Sequence, residues 1–321
     1  MSGDTTPHVV KDFLDGVVQL LSDGSVVRND AVLLSAGQPI PGPDVPAGVH
    51  WKDVVYDAAH GLRARLYRPP AATSAAGGGG KLPVLVYFVG GGYCVGSVDG
   101  PSFHAFCRRL AGALPAVVLS VEYRLAPEHR LPAAIDDGAV FLSWLRGQAA
   151  AGAEPWLAES ADFARTFVSG LSAGANLAHH VVVQAASGRI AVEPARLAGY
   201  VLLDPFFGGA ELTAAESDPP AGVSLTVEDA DKLWRMALPA GATRDHPAAN
   251  PFGPESPDLE AVALPPALVV APGRDVLRDR VVRYAARLRE MGKAVELAVF
   301  EGEQHGFSIL DSWGGERRTR S

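Results

Sequence analysis

Short runs of mostly apolar residues recur along the chain, and longer segments of helical character separate them. A run with few polar positions is typical of a strand that is buried on both faces, as in a parallel sheet. Helix-like segments lie between most of the runs, for example at Ile135–Arg146, Ala173–Ala186 and Val276–Met291. Strands that alternate with helices predict an α/β fold with a mostly parallel, doubly wound sheet. The predicted strands are residues 84–89, Val117–Val121, Phe167–Ser169, Tyr200–Leu203, Leu268–Ala271 and Val295–Phe300.

Two segments depart from this alternation. Around Val9–Leu21 the pattern favours an amphipathic helix, and the prolines that follow it (Pro39, Pro41, Pro43 and Pro46) exclude regular structure. We interpret residues 1–45 as an N-terminal strap. Residues 206–266 are rich in Pro, Gly and Asp and hold one clear helix, near Thr226–Leu238. We interpret them as a lid inserted over the active edge of the sheet, within a single domain of residues 1–321.

Two further elements precede the first long apolar run. Val54–Tyr56 and Leu62–Tyr67 predict a hairpin around the turn at His60-Gly61. Residues 71–80 are of low complexity and predict a loop.

Composition and charge exclude some classes of protein. Of the 321 residues, 48% are hydrophobic and 20% are charged, which is typical of a globular protein with a sizeable core. The formal net charge of −8 argues against nucleic-acid binding, because a surface that follows a phosphate backbone needs clustered Lys and Arg. We therefore expect a small-molecule partner, and the sequence leaves the oligomeric state open.

Cysteine content and the N-terminus bear on the compartment. Cys94 and Cys107 are too few for a disulfide framework, which favours a reducing environment. Met1–Asp4 lacks the basic and apolar regions of a signal peptide, and no apolar run approaches the roughly 18 residues of a membrane helix. We expect a cytoplasmic protein that does not enter the membrane, with the nucleus as a second location.

The most specific motif is Gly170-x-Ser172-x-Gly174, which follows a predicted strand and leads directly into a predicted helix. This context is typical of a nucleophile elbow, in which a tight turn exposes the serine and leaves no room for side chains at the two glycine positions. The helix dipole at Ser172 also favours a developing anion. A chance match in a loop is the alternative, and the flanking strand and helix argue against it.

A serine hydroxyl needs a base, and in folds with this elbow the chain order is Ser, then Asp or Glu, then His. Asp275 lies in the loop after a predicted strand, where active sites of open α/β sheets are found, whereas the runner-up Asp279 falls one turn into the next helix. His305 follows the last strand in a glycine-flanked loop. His179 and His180 lie about two turns down the helix from Ser172, so we expect them to be packing or surface residues.

The glycines at positions 90–92 end the first long strand and can bring backbone N–H groups close to a substrate. Together with the N–H of Ala173, they predict an oxyanion hole. Residues 77–82 do not match a phosphate-binding loop, the glycines after residue 89 do not match a dinucleotide fingerprint, and no metal motif is present. We expect no cofactor.

Together with Asp53–Tyr56, Tyr123–His129 and His305–Phe307, these motifs resemble the plant carboxylesterases of the hormone-sensitive-lipase group. That family also includes the gibberellin receptors and the 2-hydroxyisoflavanone dehydratases, and the likeness covers most of the chain.

The resemblance implies an α/β-hydrolase fold with a lid built from the strap and the insertion. It also implies a carboxylic ester hydrolase that forms an acyl-enzyme. The implied site residues are Ser172, Asp275 and His305 as a catalytic triad, with Gly91, Gly92 and Ala173 as oxyanion donors.

Three departures from the family pattern stand out. Val89 replaces the His of the usual His-Gly-Gly-Gly, and Leu171 replaces the Asp of the usual Gly-Asp-Ser-Ala-Gly. Both changes remove polar support but no reacting group, so we expect reduced but surviving activity. The segment Trp313–Arg318 lacks the apolar periodicity of the family's terminal helix, which predicts a less firmly held His305 loop.

Two other functions fit the resemblance. One is a non-hydrolytic hormone receptor like the gibberellin receptors, in which the catalytic His is typically replaced; the presence of His305 argues against it, whereas Val89 and Leu171 favour it. The other is a dehydratase with the same triad, which the sequence does not separate from an esterase.

Overall fold

The computed structural model of the protein describes residues 6–29, 48–69 and 80–310. Three short strands, β1 (Val9–Asp12), β2 (Val18–Leu21) and β3 (Val26–Arg28), form a small antiparallel sheet. Eight others form the main sheet: β4 (His50–Asp57), β5 (Leu62–Arg68), β6 (Leu82–Phe88), β7 (Val117–Val121), β8 (Ala161–Leu171), β9 (Leu197–Leu203), β10 (Ala267–Pro272) and β11 (Val295–Phe300).

The main sheet has the strand order β11-β10-β9-β8-β6-β7-β5-β4. Strand β5 runs antiparallel to both of its neighbours, and every other pair is parallel. All six strands predicted from apolar runs are present, as is the hairpin of β4 and β5. The predicted mostly parallel α/β fold is therefore confirmed.

The described helices are α1 (Pro101–Ala113), α2 (Ala133–Ala151), α3 (Pro155–Ser160), α4 (Ala173–Ala186), α5 (Ala214–Ser217), α6 (Val227–Ala237), α7 (Arg278–Glu290) and α8 (Phe307–Leu310). Helix α4 has the predicted bounds. Helix α6 begins after Thr226, whose side chain accepts a hydrogen bond from the N–H of Asp229. No helix in the described part of the chain is long and apolar enough to cross a bilayer.

Helices cover both faces of the main sheet. Tyr87 packs against Phe106 of α1, whereas the next residue of β6, Phe88, packs against Phe141 of α2. Because successive side chains of a strand point to opposite faces, α1 and α2 lie on opposite sides of the sheet. This two-sided burial explains why the central strands are almost wholly apolar.

The predicted helix over Val9–Leu21 is wrong, because this segment forms β1, β2 and a tight turn. The carboxylate of Asp12 accepts hydrogen bonds from the N–H groups of Leu14 and Gly16, at 3.2 Å and 3.0 Å. Asp15 and Gly16 have φ angles of +41° and +83°, which a helix does not allow. An Asp-Gly pair between apolar residues is a hairpin signal, and here it overrides the helical spacing.

Some sequence-based expectations lie outside the described residues. They are the proline-rich part of the strap at residues 39–46, the low-complexity loop at residues 71–79, and the segment Trp313–Arg318.

Arg28, on β3, fastens the small sheet to the main body. Its guanidinium group donates to the carbonyl oxygens of Cys94 and Ala126, at 2.6 Å and 2.9 Å, and to the carboxylate of Glu128 at 2.8 Å. The two carbonyls belong to the loops that follow β6 and β7. Arg28 therefore ties the N-terminal segment to the edge of the sheet where the parallel strands end.

We expect Arg28→Met to lower the free energy of unfolding by about 2 kcal/mol, because two carbonyls and a carboxylate lose a charged donor. Urea unfolding followed by circular dichroism measures this change. Arg189→Met, which removes an exposed arginine, is the control and should shift stability by less than about 0.5 kcal/mol. Equal stability of Arg28→Met and the unsubstituted protein would rule out this stabilising role.

Candidate active site

Ser172 lies in the turn between β8 and α4, with φ of +54° and ψ of −118°. This is an unfavourable conformation for a residue with a side chain, so the surrounding packing must enforce it. A Cβ atom at Gly170 would lie 2.2 Å from the carbonyl oxygen of Gly174, and one at Gly174 would lie 2.1 Å from that of Phe88. Both glycines of the motif are therefore required by close backbone contact, as the sequence predicts.

The strand end next to the turn holds Ser172 in place. The N–H of Ser172 donates to the carbonyl oxygen of Leu203 at 2.9 Å, and its own carbonyl oxygen accepts from the N–H of Phe206 at 3.0 Å. The last residue of β9 and the segment after it thus bind both backbone groups of Ser172.

Ser172, Asp275 and His305 meet at the carboxyl edge of the sheet. His305 Nε2 lies 2.8 Å from Ser172 Oγ, and His305 Nδ1 lies 2.7 Å from Asp275 Oδ2. The loops that carry Asp275 and His305 are joined by a hydrogen bond of 2.9 Å from the N–H of Arg274 to the carbonyl oxygen of Glu303. This arrangement allows a proton to pass from the hydroxyl to the imidazole while the carboxylate holds the ring.

The other acid and histidines that the sequence offers as candidates make contacts outside this site. Asp279 accepts a hydrogen bond of 2.9 Å from the N–H of Ala215, so it holds the 206–266 segment and has no contact with His305. His179 bonds to the hydroxyl of Tyr284, and His180 to the carbonyl oxygen of Ala248.

The surroundings of His305 favour its protonated form. Burial lowers the pKa of the imidazole, but the charge and hydrogen bond of Asp275, with the charge of Asp204, outweigh burial and raise the pKa above its ordinary value. The side chain of His305 is 12% exposed and that of Asp275 is fully buried. A base of this kind accepts a proton readily near neutral pH.

The predicted oxyanion loop is held by two tyrosines. The hydroxyl of Tyr93 donates to Asn176 Oδ1 on α4 at 2.6 Å, and the hydroxyl of Tyr123 donates to the carbonyl oxygen of Val89 at 2.8 Å. Both hydroxyls are buried. They supply polar support to a loop that lacks the family's histidine at position 89.

The N–H groups of Gly91, Gly92 and Ala173 have no hydrogen-bond acceptor among the described residues. Leu233 of α6 packs so closely over Gly92 that a Cβ there would lie 2.6 Å from its methyl carbons. Gly91 and Gly92 line the same cavity as Ser172, and Ala173 follows Ser172 directly.

A cavity of about 160 Å³ opens beside Ser172 and His305. His305 is the sole ionisable side chain among the described residues that line it, and the serines at positions 97, 172 and 224 add hydroxyl groups. Apolar side chains form most of the wall: Val95, Phe103, Leu171, Leu225, Leu233 and Ile309. Leu171 thus contributes apolar surface where the family usually has an aspartate.

Metal-binding clusters of His, Cys, Asp or Glu are not found in residues 6–29, 48–69 and 80–310. One acidic group that sequence reasoning missed is Asp204, which is buried at the end of β9 and accepts a hydrogen bond from the N–H of Gly306. Its position directly after a predicted strand, at the edge that carries Asp275, was the available signal.

A sheet of this strand order, with a serine elbow and an acid and histidine on later loops, defines the class of α/β-hydrolases. A family model described as alpha/beta hydrolase fold matches residues 85–309. The chain therefore belongs to this family.

Two curated relatives are similar over most of their length. Gibberellin receptor GID1C of Arabidopsis thaliana is 38% identical over 297 residues, which cover 90% of this chain and 83% of the receptor. 3-O-acetylpapaveroxine carboxylesterase CXE1 of Papaver somniferum is 36% identical over 278 residues, which cover 84% of this chain and 86% of the enzyme. The resemblance to plant carboxylesterases and gibberellin receptors is thus confirmed.

Solved esterase structures are similar as well. The carboxylesterase EstE1, cloned from a metagenomic library, has a TM-score of 0.70 and 30% identity, and the match covers 87% of this chain and 86% of EstE1. The esterase of Pyrobaculum calidifontis has a TM-score of 0.69 and 30% identity, with 86% of this chain and 81% of that chain covered.

Histidine titration tests the electrostatics of the site directly. In ¹⁵N-histidine NMR spectra, we expect the ring of His305 to titrate above pH 6.5, its ordinary value, and His180 to titrate near pH 4 because burial lowers its pKa. Asp275→Asn should lower the pKa of His305, since the imidazolium loses its charged partner. A His305 midpoint below that of an ordinary histidine would show that the Asp275 contact is not formed in solution.

Proposed function

We propose that the protein is a carboxylic ester hydrolase that works through a Ser172–His305–Asp275 triad and an acyl-enzyme. The observation that carries this proposal is the pair of contacts at 2.8 Å and 2.7 Å that join the serine, the imidazole and the carboxylate. The carboxylesterase relative and the esterase structures support the same reaction class.

In the first half of the reaction, Ser172 Oγ attacks the ester carbonyl carbon while His305 Nε2 takes the hydroxyl proton. The carbonyl oxygen becomes an oxyanion that the N–H groups of Gly91, Gly92 and Ala173 stabilise. Collapse of this intermediate breaks the bond to the alcohol, which leaves with the proton from His305. Asp275 keeps the imidazole in the required tautomer and stabilises its charged form.

In the second half, His305 takes a proton from a water molecule, which attacks the acyl carbon. Collapse of the second tetrahedral intermediate releases the carboxylic acid and returns the proton to Ser172. Because the base must be neutral, kcat/KM should rise with pH as His305 loses its proton. The chemistry uses only groups of this chain and water.

The lining of the cavity bears on the acyl group. The cavity beside Ser172 has a volume of about 160 Å³ and a mostly apolar wall, which favours an uncharged acyl chain. Apart from His305, the described wall residues offer no cationic partner to an acyl group with its own carboxylate.

We also propose that residues 1–45 and 206–266 form a lid on a single domain. Within the second segment, Ser224 Oγ donates to the carbonyl oxygen of His305 at 2.9 Å, and Trp234 stacks on Phe206 with ring centroids 4.2 Å apart. Lys232 of the same segment pairs with Asp15 of the N-terminal sheet at 3.2 Å. The second segment thus contacts both the N-terminal sheet and the His305 loop.

A second candidate function is hormone binding without turnover, favoured by the 38% identity to gibberellin receptor GID1C. Calorimetry with plant hormones, combined with a search for hydrolysis products, separates the two functions. Tight binding without product would favour a receptor.

The dehydratase of the same family is distinguished by loss of water from a hydroxylated substrate in place of ester cleavage.

The esterase proposal predicts hydrolysis of p-nitrophenyl acetate and butyrate, with a rate that falls by roughly 10⁴-fold or more in Ser172→Ala. Ser187→Ala is the matched control, because Ser187 caps the far end of the same helix. Its rate should equal that of the unsubstituted protein. Equal activity in Ser172→Ala would refute the proposal.

The cavity predicts chain-length selectivity that a single substitution changes. Phe103→Ala should raise kcat/KM for p-nitrophenyl octanoate relative to butyrate roughly tenfold, because it lengthens the apolar pocket. Phe106→Ala is the control, since Phe106 lies on the same helix but packs against Tyr87. If both variants shift the preference equally, the cavity is not the acyl site.

A further inference from the structure

Asp204 is an acidic side chain in the interior, directly behind the triad. It follows the last residue of β9, and its residue is 0% exposed. A buried carboxyl group is costly unless other groups compensate it. The proposed reaction assigns no role to this carboxyl group.

The backbone around Asp204 fixes where its side chain lies. Leu203 and Phe206, on either side of it, hold the N–H and carbonyl groups of Ser172, and the N–H of Asp204 donates to the carbonyl oxygen of Val270 at 3.1 Å. Asp204 itself has a φ of +47°, a left-handed conformation that aspartate tolerates better than most residues. The segment is thus part of the framework of the elbow.

The side chain of Asp204 reaches a second catalytic loop. Its Oδ2 accepts a hydrogen bond of 2.9 Å from the N–H of Gly306, the residue after His305. Its Oδ1 is buried and has no hydrogen-bond partner among the described residues. One aspartate therefore joins the framework of Ser172 to the loop of His305, and half of its hydrogen-bonding capacity is unused.

Three ionisable groups among the described residues interact with Asp204. The charges of Asp275 and His305 change the pKa of Asp204, and the charge of Asp204 in turn raises the pKa of the Tyr87 phenol. Burial raises the pKa of Asp204 to about 7, while the positive charge of His305 opposes that rise. The charge of Asp204 in turn raises the pKa of His305, after that of Asp275.

We propose that Asp204 is a second acidic positioning residue of the site. Its carboxyl group holds the His305 loop through Gly306, and in its ionised form it adds a negative charge to that of Asp275 in stabilising the imidazolium. The catalytic consequence rests on the proposed esterase function, whereas the effect on His305 does not.

The sign of the effect follows from the charge. Near and above pH 7, where Asp204 is ionised, its charge stabilises the imidazolium. Without that charge, His305 loses its proton at lower pH, so more of the base form is present around neutral pH. The charged imidazole that forms during the reaction also loses support, so the rate on the alkaline plateau falls. A purely structural aspartate would lower the rate at every pH by the same factor.

Asp204→Asn separates charge from geometry, because the amide oxygen still accepts from the N–H of Gly306. The pH profile of p-nitrophenyl butyrate hydrolysis should reach its plateau at lower pH, because the charge of Asp204 is present only near and above pH 7. We expect the ratio of rates at pH 7.0 and pH 8.5 to rise by up to about twofold, and the plateau rate to fall less than about tenfold. Asp204→Ala loses the hydrogen bond too and should have a lower plateau rate than Asp204→Asn.

Asp218→Asn is the control for loss of one negative charge, because Asp218 is exposed in the 206–266 segment. Its profile should match that of the unsubstituted protein. An acid limb that stays in place or moves to higher pH in Asp204→Asn would overturn the proposal while leaving the esterase function intact.

Titration of His305 by ¹⁵N NMR tests the same inference without any substrate. A lower midpoint in Asp204→Asn than in the unsubstituted protein supports the charge coupling even if no ester is cleaved. An unchanged midpoint contradicts it, whatever the outcome of the assays.

Discussion

The close contact between α4 and the end of β6 fixes the position of Ser172, and the other groups of the site lie around it. Gly174 approaches the carbonyl oxygen of Phe88 so closely that any side chain there would collide with it. The helix can therefore begin directly against the central strand, which forces Ser172 into its left-handed turn. The same contact places Ser172 beside the glycine loop that continues from β6, which carries two of the proposed oxyanion donors.

The remaining groups reach Ser172 because parallel strands end at one edge. Asp275 follows β10, His305 follows β11 and Asp204 follows β9, so three neighbouring strands bring three ionisable side chains to one place. Because Asp204 and Asp275 are almost wholly buried, these acids and the imidazole affect one another strongly. Burial disfavours each charge alone, and the pairing of acid with imidazole offsets that cost. The proposed base thus owes its properties to the order of strands in the sheet.

Much of this arrangement could be predicted from the sequence, for a physical reason. Strands that are buried on both faces must be apolar throughout, so the central sheet is visible as apolar runs, and the loop after each run falls at the same edge. Ser172, Asp275 and His305 were therefore recognisable as candidates. The strands of the N-terminal segment were not recognisable, because its apolar residues have a helical spacing. The carboxylate of Asp12 nevertheless closes a tight turn there.

Several long-range contacts also could not be predicted from the sequence. Arg28 donates to the carbonyl group of Cys94, which is 66 positions away. Neither residue type predicts that contact. Asp204 was overlooked because burial of a single aspartate depends on how the elbow and the His305 loop pack around it. The tyrosines that brace the oxyanion loop were unforeseen as well, and they explain how it keeps polar support although Val89 replaces a histidine.

We propose that Ser172 is an activated nucleophile, and labelling with a fluorophosphonate probe tests this role independently of the natural substrate. Peptide mapping by mass spectrometry should find the phosphonate on Ser172, and labelling should be lost in a folded His305→Ala variant. Absence of label on Ser172 in the unsubstituted, folded protein would contradict the account.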